Sequence, residues 1–406
     1  MPAPTAPSAL RRDVRVIGLT GAAHFFSHFF QLVLPPLFPL LKTVFGVSYV
    51  ALGLTMSVFF GASGIGQTLS GFLVDRVGAR RVLMAGMALF AGSIAVAGLV
   101  PTYWMLLPVA LLAGLGNSVF HPADYSILNS SVDPRRIGRG YSAHAISGNL
   151  GWAVAPPVVF ALTAHFSWRV ALVTVGGLGL AMVAVLASQR GAFGTARAGA
   201  RGTGAVADMR LLFTAPILSA FAYFAFIATA LVGVQTFGVT GLVRVYETPM
   251  ALATAALTAF LFGGAAGILA GGMLADRTNR HDVVAVGGLV AAAALMMLLA
   301  TGGVAASLLP VVLAVGGFCQ GATGPSRDML VRAATPPGAS GKVFGFVYSG
   351  LDVGSFLAPP VFGFLMSAGI PSIIFWIAVA LYIVNAVLVM AIRQTTVPTV
   401  ATAAAE

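Results

Sequence analysis

The chain has 406 residues, 58% hydrophobic and only 8% charged, with a formal net charge of +11. Soluble domains carry about 25% charged residues, so a water-solvated globular fold is excluded and the lipid bilayer is the expected solvent. A single cysteine, Cys319, excludes an intrachain disulfide and a cysteine-cluster metal site.

Apolar windows of about 20 residues, the length that crosses hydrocarbon, recur along the whole chain. They predict a first set of spans near 16–41, 49–74, 82–100, 104–131, 140–164 and 168–188. A second set is predicted near 213–240, 250–275, 283–301, 306–332, 341–366 and 370–392. The chain then divides into a disordered N-terminus over 1–12, a six-helix bundle over 13–188, a Gly/Ala/Arg-rich linker over 189–212, a second bundle over 213–393 and a tail over 394–406. The apolar run behind Arg11, Arg12 and Arg15 is too long for the core of a signal peptide, and is expected to stay as the first span.

Lys and Arg sort by loop parity. Eighteen of the 22 fall in alternate loops, among them Arg76, Arg80 and Arg81 after the second span and Arg135, Arg136 and Arg139 after the fourth. The opposite loops hold only Lys42, Arg169 and Arg244, and Arg327 lies inside a span. Cytoplasmic loops concentrate Lys and Arg, so both termini and the linker are expected in the cytoplasm. The basic balance is a topology signal, and no nucleic-acid partner is expected.

Polar residues within the spans form stripes. His24, Ser27, His28 and Gln31 fall at i, i+3, i+4 and i+7 of the first span. Asn117, His121 and Asp124 make a similar stripe in the fourth, with Tyr125 beside it. A carboxylate in hydrocarbon costs about 2.5–3.5 kcal/mol on insertion scales, so such residues turn towards partners or a water-filled cavity. Interhelical hydrogen bonding accounts for Ser27 and Asn117 without further function. It leaves His24 and His28 open. His121 beside Asp124 has the composition of a proton carrier near neutral pH. No metal site is expected, because neither Cys nor Glu joins these residues.

Residues 121–157 align without a gap on 324–360, at an offset of 203. Pro122 meets Pro325, Asp124 meets Arg327 and Asn149 meets Asp352, so one half of the chain reads as a diverged copy of the other. A guanidinium stays charged, so Arg327 requires a buried acid or an anionic ligand. Asp328 adjoins it, although adjacent residues of a helix point about 100° apart. The duplication sets Asp124 opposite, and either acid is a candidate partner. Asp352, between Gly350 and Gly354, is a further candidate proton site. Pro122 and Pro325 each remove a backbone hydrogen bond, which is expected to bend or break their helices.

The loop after the second span reads Gly71-Phe-Leu-Val-Asp75-Arg76-Val-Gly78-Ala-Arg80-Arg81, and the loop after the eighth reads Gly272-Met-Leu-Ala-Asp276-Arg277-Thr-Asn-Arg280. Both resemble the cytoplasmic G-x-L-x-D-R-x-G-R-R motif of the major facilitator superfamily. Gly71 is expected to permit close helix approach, and Asp75 to meet an Arg or a helix N-terminus as a charge-linked latch. His24-Phe-Phe-Ser-His28 followed by Leu34-Pro35-Pro36-Leu-Phe-Pro39, with Phe120-His121-Pro122, resembles the fosmidomycin-resistance-type exporter branch. His28 stands where that branch has an acid, and Asp124 where it has Glu, so its coupling scheme does not transfer. Gly151 to Pro157 resembles the antiporter motif of helix five, with Ala155 in place of its second Gly.

The resemblance implies an all-α membrane fold of twelve transmembrane helices in two pseudo-symmetric six-helix bundles, with helices 1, 4, 7 and 10 lining a central cavity. It implies a secondary transporter rather than an enzyme, exporting a small organic solute against protons by alternating access. The alternative is proton-coupled uptake of a small organic anion such as a carboxylate, and a third class is a membrane sensor or scaffold. Proton coupling is expected at Asp124, His121, Asp328 and Asp352. Substrate contacts are expected from His24, His28, Gln31, Asn117, Tyr125, Asn149, Gln235 and Arg327. Gating is expected from Gly71, Asp75, Arg76, Gly78, Arg80, Arg81, Asp276 and Arg277. No cofactor is expected. The expected partners are the solute, protons and the bilayer, and the expected setting is a monomer in a bacterial inner membrane.

Overall fold

A computed structural model describes residues 7–134, 136–189, 212–335 and 340–396, with no β-strand among them. Among the described residues twelve helical stretches are long and apolar enough to cross a membrane, and each predicted span overlaps one of them. The first helix, α1 (Pro7–Gln31), begins inside the stretch expected to be disordered. Residues 1–6, Arg135, most of the linker and the tail beyond 396 lie outside the described residues.

The chain splits into two units, Met1–Val47 with Leu54–Ala200, and Ser48–Gly53 with Arg201–Glu406. In chain order the first half contains α1, α2 (Phe38–Phe45), α3 (Tyr49–Val77), α4 (Ala79–Ala97), α5 (Leu106–Asn117), α6 (Phe120–Ser131), α7 (Ile137–His165) and α8 (Trp168–Ser188). The second half contains α9 (Ala215–Tyr246), α10 (Met250–Ala275), α11 (His281–Ala300), α12 (Leu309–Ala333), α13 (Ser340–Ser367) and α14 (Ile373–Thr396). In the first unit α1 packs on α7 and α4 on α8. In the second, α10 packs on α12 and α9 on α13 and α14.

Among the described residues two spans are broken, both in the first unit. The first, expected to be continuous, stops at Gln31 and resumes through a 3₁₀ turn at Pro35–Leu37 into α2. Pro35 and Pro36 have no N–H to continue the α-helical ladder. The fourth breaks between α5 and α6, where Pro122 cannot bond the Ser118 carbonyl. Its counterpart Pro325 sits inside an uninterrupted α12, so of the two prolines only Pro122 breaks its helix.

Close glycine contacts repeat the duplication. A Cβ on Gly114 would lie 2.2 Å from the Phe59 carbonyl oxygen, and one on Gly317, at the offset of 203, 2.0 Å from that of Phe260. Gly151 against Phe25 and Gly354 against Ala225 are a second matched pair, each at 2.2 Å from a carbonyl oxygen. In lipid, helices associate through small residues that let backbones approach, which is what these positions do.

Candidate functional site

The polar stripe of α1 meets α3, α5 and α7 in an amide network. Ser27 Oγ and Gln31 Nε2 donate to Asn117 Oδ1 at 2.7 and 3.3 Å, and Asn117 Nδ2 donates to Ser63 Oγ at 2.8 Å. Trp152 Nε1 donates to Gln31 Oε1 at 3.0 Å. Both amides are bonded at both ends, so Ser27 and Asn117 link helices, and Asn117 and Gln31, both expected as substrate contacts, are held in the same network. An apolar pocket lies beside Gln31, with Leu34, Met56, Phe59 and Phe90 among its walls.

The histidines gather around Asp124. Its Oδ2 lies 3.0 Å from His144 Nε2 and 3.4 Å from His24 Nδ1. The His24 and His144 rings stack at 3.5 Å between centroids, with His28 at 4.3 Å and His121 at 5.2 Å from His24. His28 stacks in turn on Trp152 at 4.2 Å. His24, Asp124 and His144 are only 2%, 0% and 3% exposed, whereas His121 is exposed. Tyr125, also exposed, borders His144 at 5.2 Å. Sequence reasoning missed His144. The available signal was its spacing with Gly148 and Gly151, at i, i+4 and i+7 on one face of α7. A Cβ on Gly148 would lie 2.8 Å from both His24 Nε2 and His28 Nδ1, so that glycine admits the imidazoles.

In the second unit Arg327 Nε donates to Asp328 Oδ1 at 2.9 Å. The long side chains close the angular gap that had counted against this neighbour. The guanidinium carbon lies 4.2 Å from the Phe224 ring centroid and 6.0 Å from that of Tyr223. Asp328 is 37% exposed at its side chain and Arg327 19%. Gln235 is buried, and Asp352 is half-buried on α13. Asn149 does not join the histidine cluster: its amide donates back to the Ala145 carbonyl at 2.9 Å on its own helix.

The loop residues behave differently from one another. Among the described residues, Gly71 has nothing within 4 Å of a built Cβ, nor has Gly272, so the close helix approach expected at Gly71 is not seen in this structure. Gly78 is required for another reason: at φ +97° it starts α4 in backbone space that side chains rarely enter. Arg80 donates to the Leu186 and Ala187 carbonyls at 3.2 and 2.9 Å, capping the C-terminus of α8. Arg76, Arg81, Asp276 and Arg277 are exposed. The Asp75 side chain lies outside the described residues.

A buried ion pair that sequence reasoning missed stands at the start of α1. Asp13, 1% exposed, accepts from Arg136 Nε at 2.8 Å, meets Arg136 Nη2 at 2.6 Å and accepts from the Asp133 N–H at 3.2 Å. The available signal was a lone acid among the three arginines that open the first span.

The sequence matches the Major Facilitator Superfamily over residues 20–254 and 235–406. The chain belongs to that superfamily. It is therefore an integral, multi-pass membrane protein of a transporter family that acts on small molecules. It is 22% identical to the Fosmidomycin resistance protein of Escherichia coli (strain K12) over 279 residues, 68% of each chain. It is 30% identical to the probable L-galactonate transporter of the same strain over 135 residues, which covers 33% of this chain and 30% of that protein. Among solved structures, a bacterial homolog to the human lysosomal transporter Spinster superposes with a TM-score of 0.72, at 14% identity, over 96% of this chain and 98% of that one. That likeness concerns the fold.

Proposed function

We infer that this superfamily member carries a small organic anion across the membrane by alternating access, together with a proton. The observation that carries this reading is the Arg327–Asp328 pair, set against Phe224 and Tyr223 within a spanning helix. Arg327 cannot give up its charge, whereas Asp328 can. A proton on Asp328 frees the guanidinium for a carboxylate or phosphonate, which Arg binds through two parallel hydrogen bonds. The pair alone and the pair holding one proton and one monoanion have the same net charge, so the two loads travel together. Under an inward proton gradient such co-loading drives uptake. The match to a probable L-galactonate transporter supports an anionic solute. Export, the direction expected from the sequence, is the second reading, supported by the similarity to the Fosmidomycin resistance protein over two thirds of both chains.

The test begins with a thermal-shift screen of sugar acids, simple carboxylates and phosphonates on the purified protein. Hits are then followed in proteoliposomes with and without a pH gradient. Arg327→Ala is expected to abolish both the ligand-induced shift and transport. Asp328→Asn is expected to keep binding but lose gradient-driven accumulation. Wild-type transport by Arg327→Ala would refute the anion site. Accumulation towards the alkaline side identifies co-transport, and towards the acid side exchange and hence export.

The loop parity of Lys and Arg supports both termini facing the cytoplasm, and a monomer in a bacterial inner membrane is the setting that the family resemblance implies. In a Cys319→Ser background, Asn279→Cys is expected to resist impermeant thiol reagents in intact cells, and Gly303→Cys to react. The opposite pattern would invert the topology.

A further inference from the structure

The histidine cluster of the first unit plays no part in the anion mechanism and has a chemistry of its own. We propose that His24, His121, His144 and Asp124 form a binding site for a divalent transition-metal ion of the zinc class. Imidazole nitrogens with one carboxylate oxygen are a donor set that zinc takes in four-coordinate sites. One ligand nitrogen from each of the three histidines lies within 4.8 Å of the other two. Around a tetrahedral ion with bonds of about 2.0–2.1 Å, ligand atoms stand roughly 3.3 Å apart. Asp124 Oδ2 is already near that spacing, at 3.0 Å from His144 Nε2 and 3.4 Å from His24 Nδ1. His121, whose nitrogen lies within 4.8 Å of the other two, has to close in by side-chain rotation on binding.

Two further observations point to a cation. His24 Nδ1 and Asp124 Oδ1 are buried polar atoms without a hydrogen-bond partner, and a buried carboxylate oxygen is seldom left so. A cation held by His24 Nδ1 and the Asp124 carboxylate would answer that deficit. His121 is the exposed member of the set. The four residues come from α1, α6 and α7, and Gly148 makes room for the imidazoles. His28, stacked on Trp152, stands behind His24 as a packing neighbour. The expectation of no metal site was formed without His144, the residue that completes the set.

The test uses the purified full chain. Zn²⁺ is titrated calorimetrically, and Co²⁺ serves as the spectroscopic probe. One ion per chain is expected, with the visible absorption of four-coordinate cobalt. Ligand loss should weaken binding at least about tenfold, since even disturbing an outer-shell partner does that much. His144→Ala and Gly148→Ala are the direct variants. His121→Gln, at an exposed position, tests the site without disturbing the core, and its melting curve verifies the fold. The exposed His165→Ala should bind as the unmodified protein does. Absence of Zn²⁺ binding would overturn the proposal and leave the cluster to protons. Undiminished affinity in a folded His121→Gln, His144→Ala double variant would overturn it too. Either result leaves the Arg327 reading standing, because the two sites share no residue.

Discussion

Asp13→Asn is expected to destabilise the protein by about 3 kcal/mol, the lower end of the roughly 3–5 kcal/mol seen when one partner of a buried ion pair is removed. Asp13 is 1% exposed, and two nitrogens of Arg136 converge on one of its carboxylate oxygens. Without that charge the Arg136 guanidinium stays 11% exposed and loses its main counter-charge. Asp133 Oδ2, 3.4 Å away, compensates in part, which sets the estimate at the lower end. Thermal unfolding in detergent measures the loss. The double variant Asp13→Asn, Arg136→Gln should recover part of it, because the buried Arg136 charge no longer stands without its main partner. A single variant as stable as the unmodified protein would mean that water reaches this pair freely.

Gly317→Ala and Gly114→Ala are expected to lower stability by about 1–3 kcal/mol each, the cost of forcing an extra methyl group into a packed contact. The new carbon would fall 2.0 and 2.2 Å from a carbonyl oxygen of the facing helix. Backbone cannot swing aside as a flexible side chain does, so α10 and α12, or α3 and α5, must separate. Gly71→Ala and Gly272→Ala are the controls, with open space around the added carbon. The same melting assay in detergent should separate the two groups. Equal effects in both would mean that helix propensity, and not interhelical contact, governs these glycines.

The twelve spans, the duplication and the sorting of basic loops were legible because each depends on composition along one dimension. A spanning helix needs about 20 apolar residues whatever its neighbours are, and a duplicated half repeats its residues in register. The matched glycines carry that register into space: Gly114 and Gly317 meet equivalent carbonyls because the two halves keep one backbone arrangement. Arg80 shows the limit. Its place in a loop motif led to the expectation of a gate, but nothing in the sequence pointed to its contacts at the end of α8, since which carbonyls a long side chain reaches depends on where another helix ends.

By itself the sequence determined the solvent, the number of spans, the superfamily and the residues whose charge must be answered within the membrane. Only the tertiary structure decided which groups answer them. Asp124 was read with His121, its neighbour on the same helix, but its closest contacts are His24 of α1 and His144 of α7. Arg327 was offered two acids and takes Asp328. Hydropathy marks a helix as buried without stating its rotation or what it faces. Side-chain pairing is set by those rotations and by the glycine contacts that bring the helix axes together.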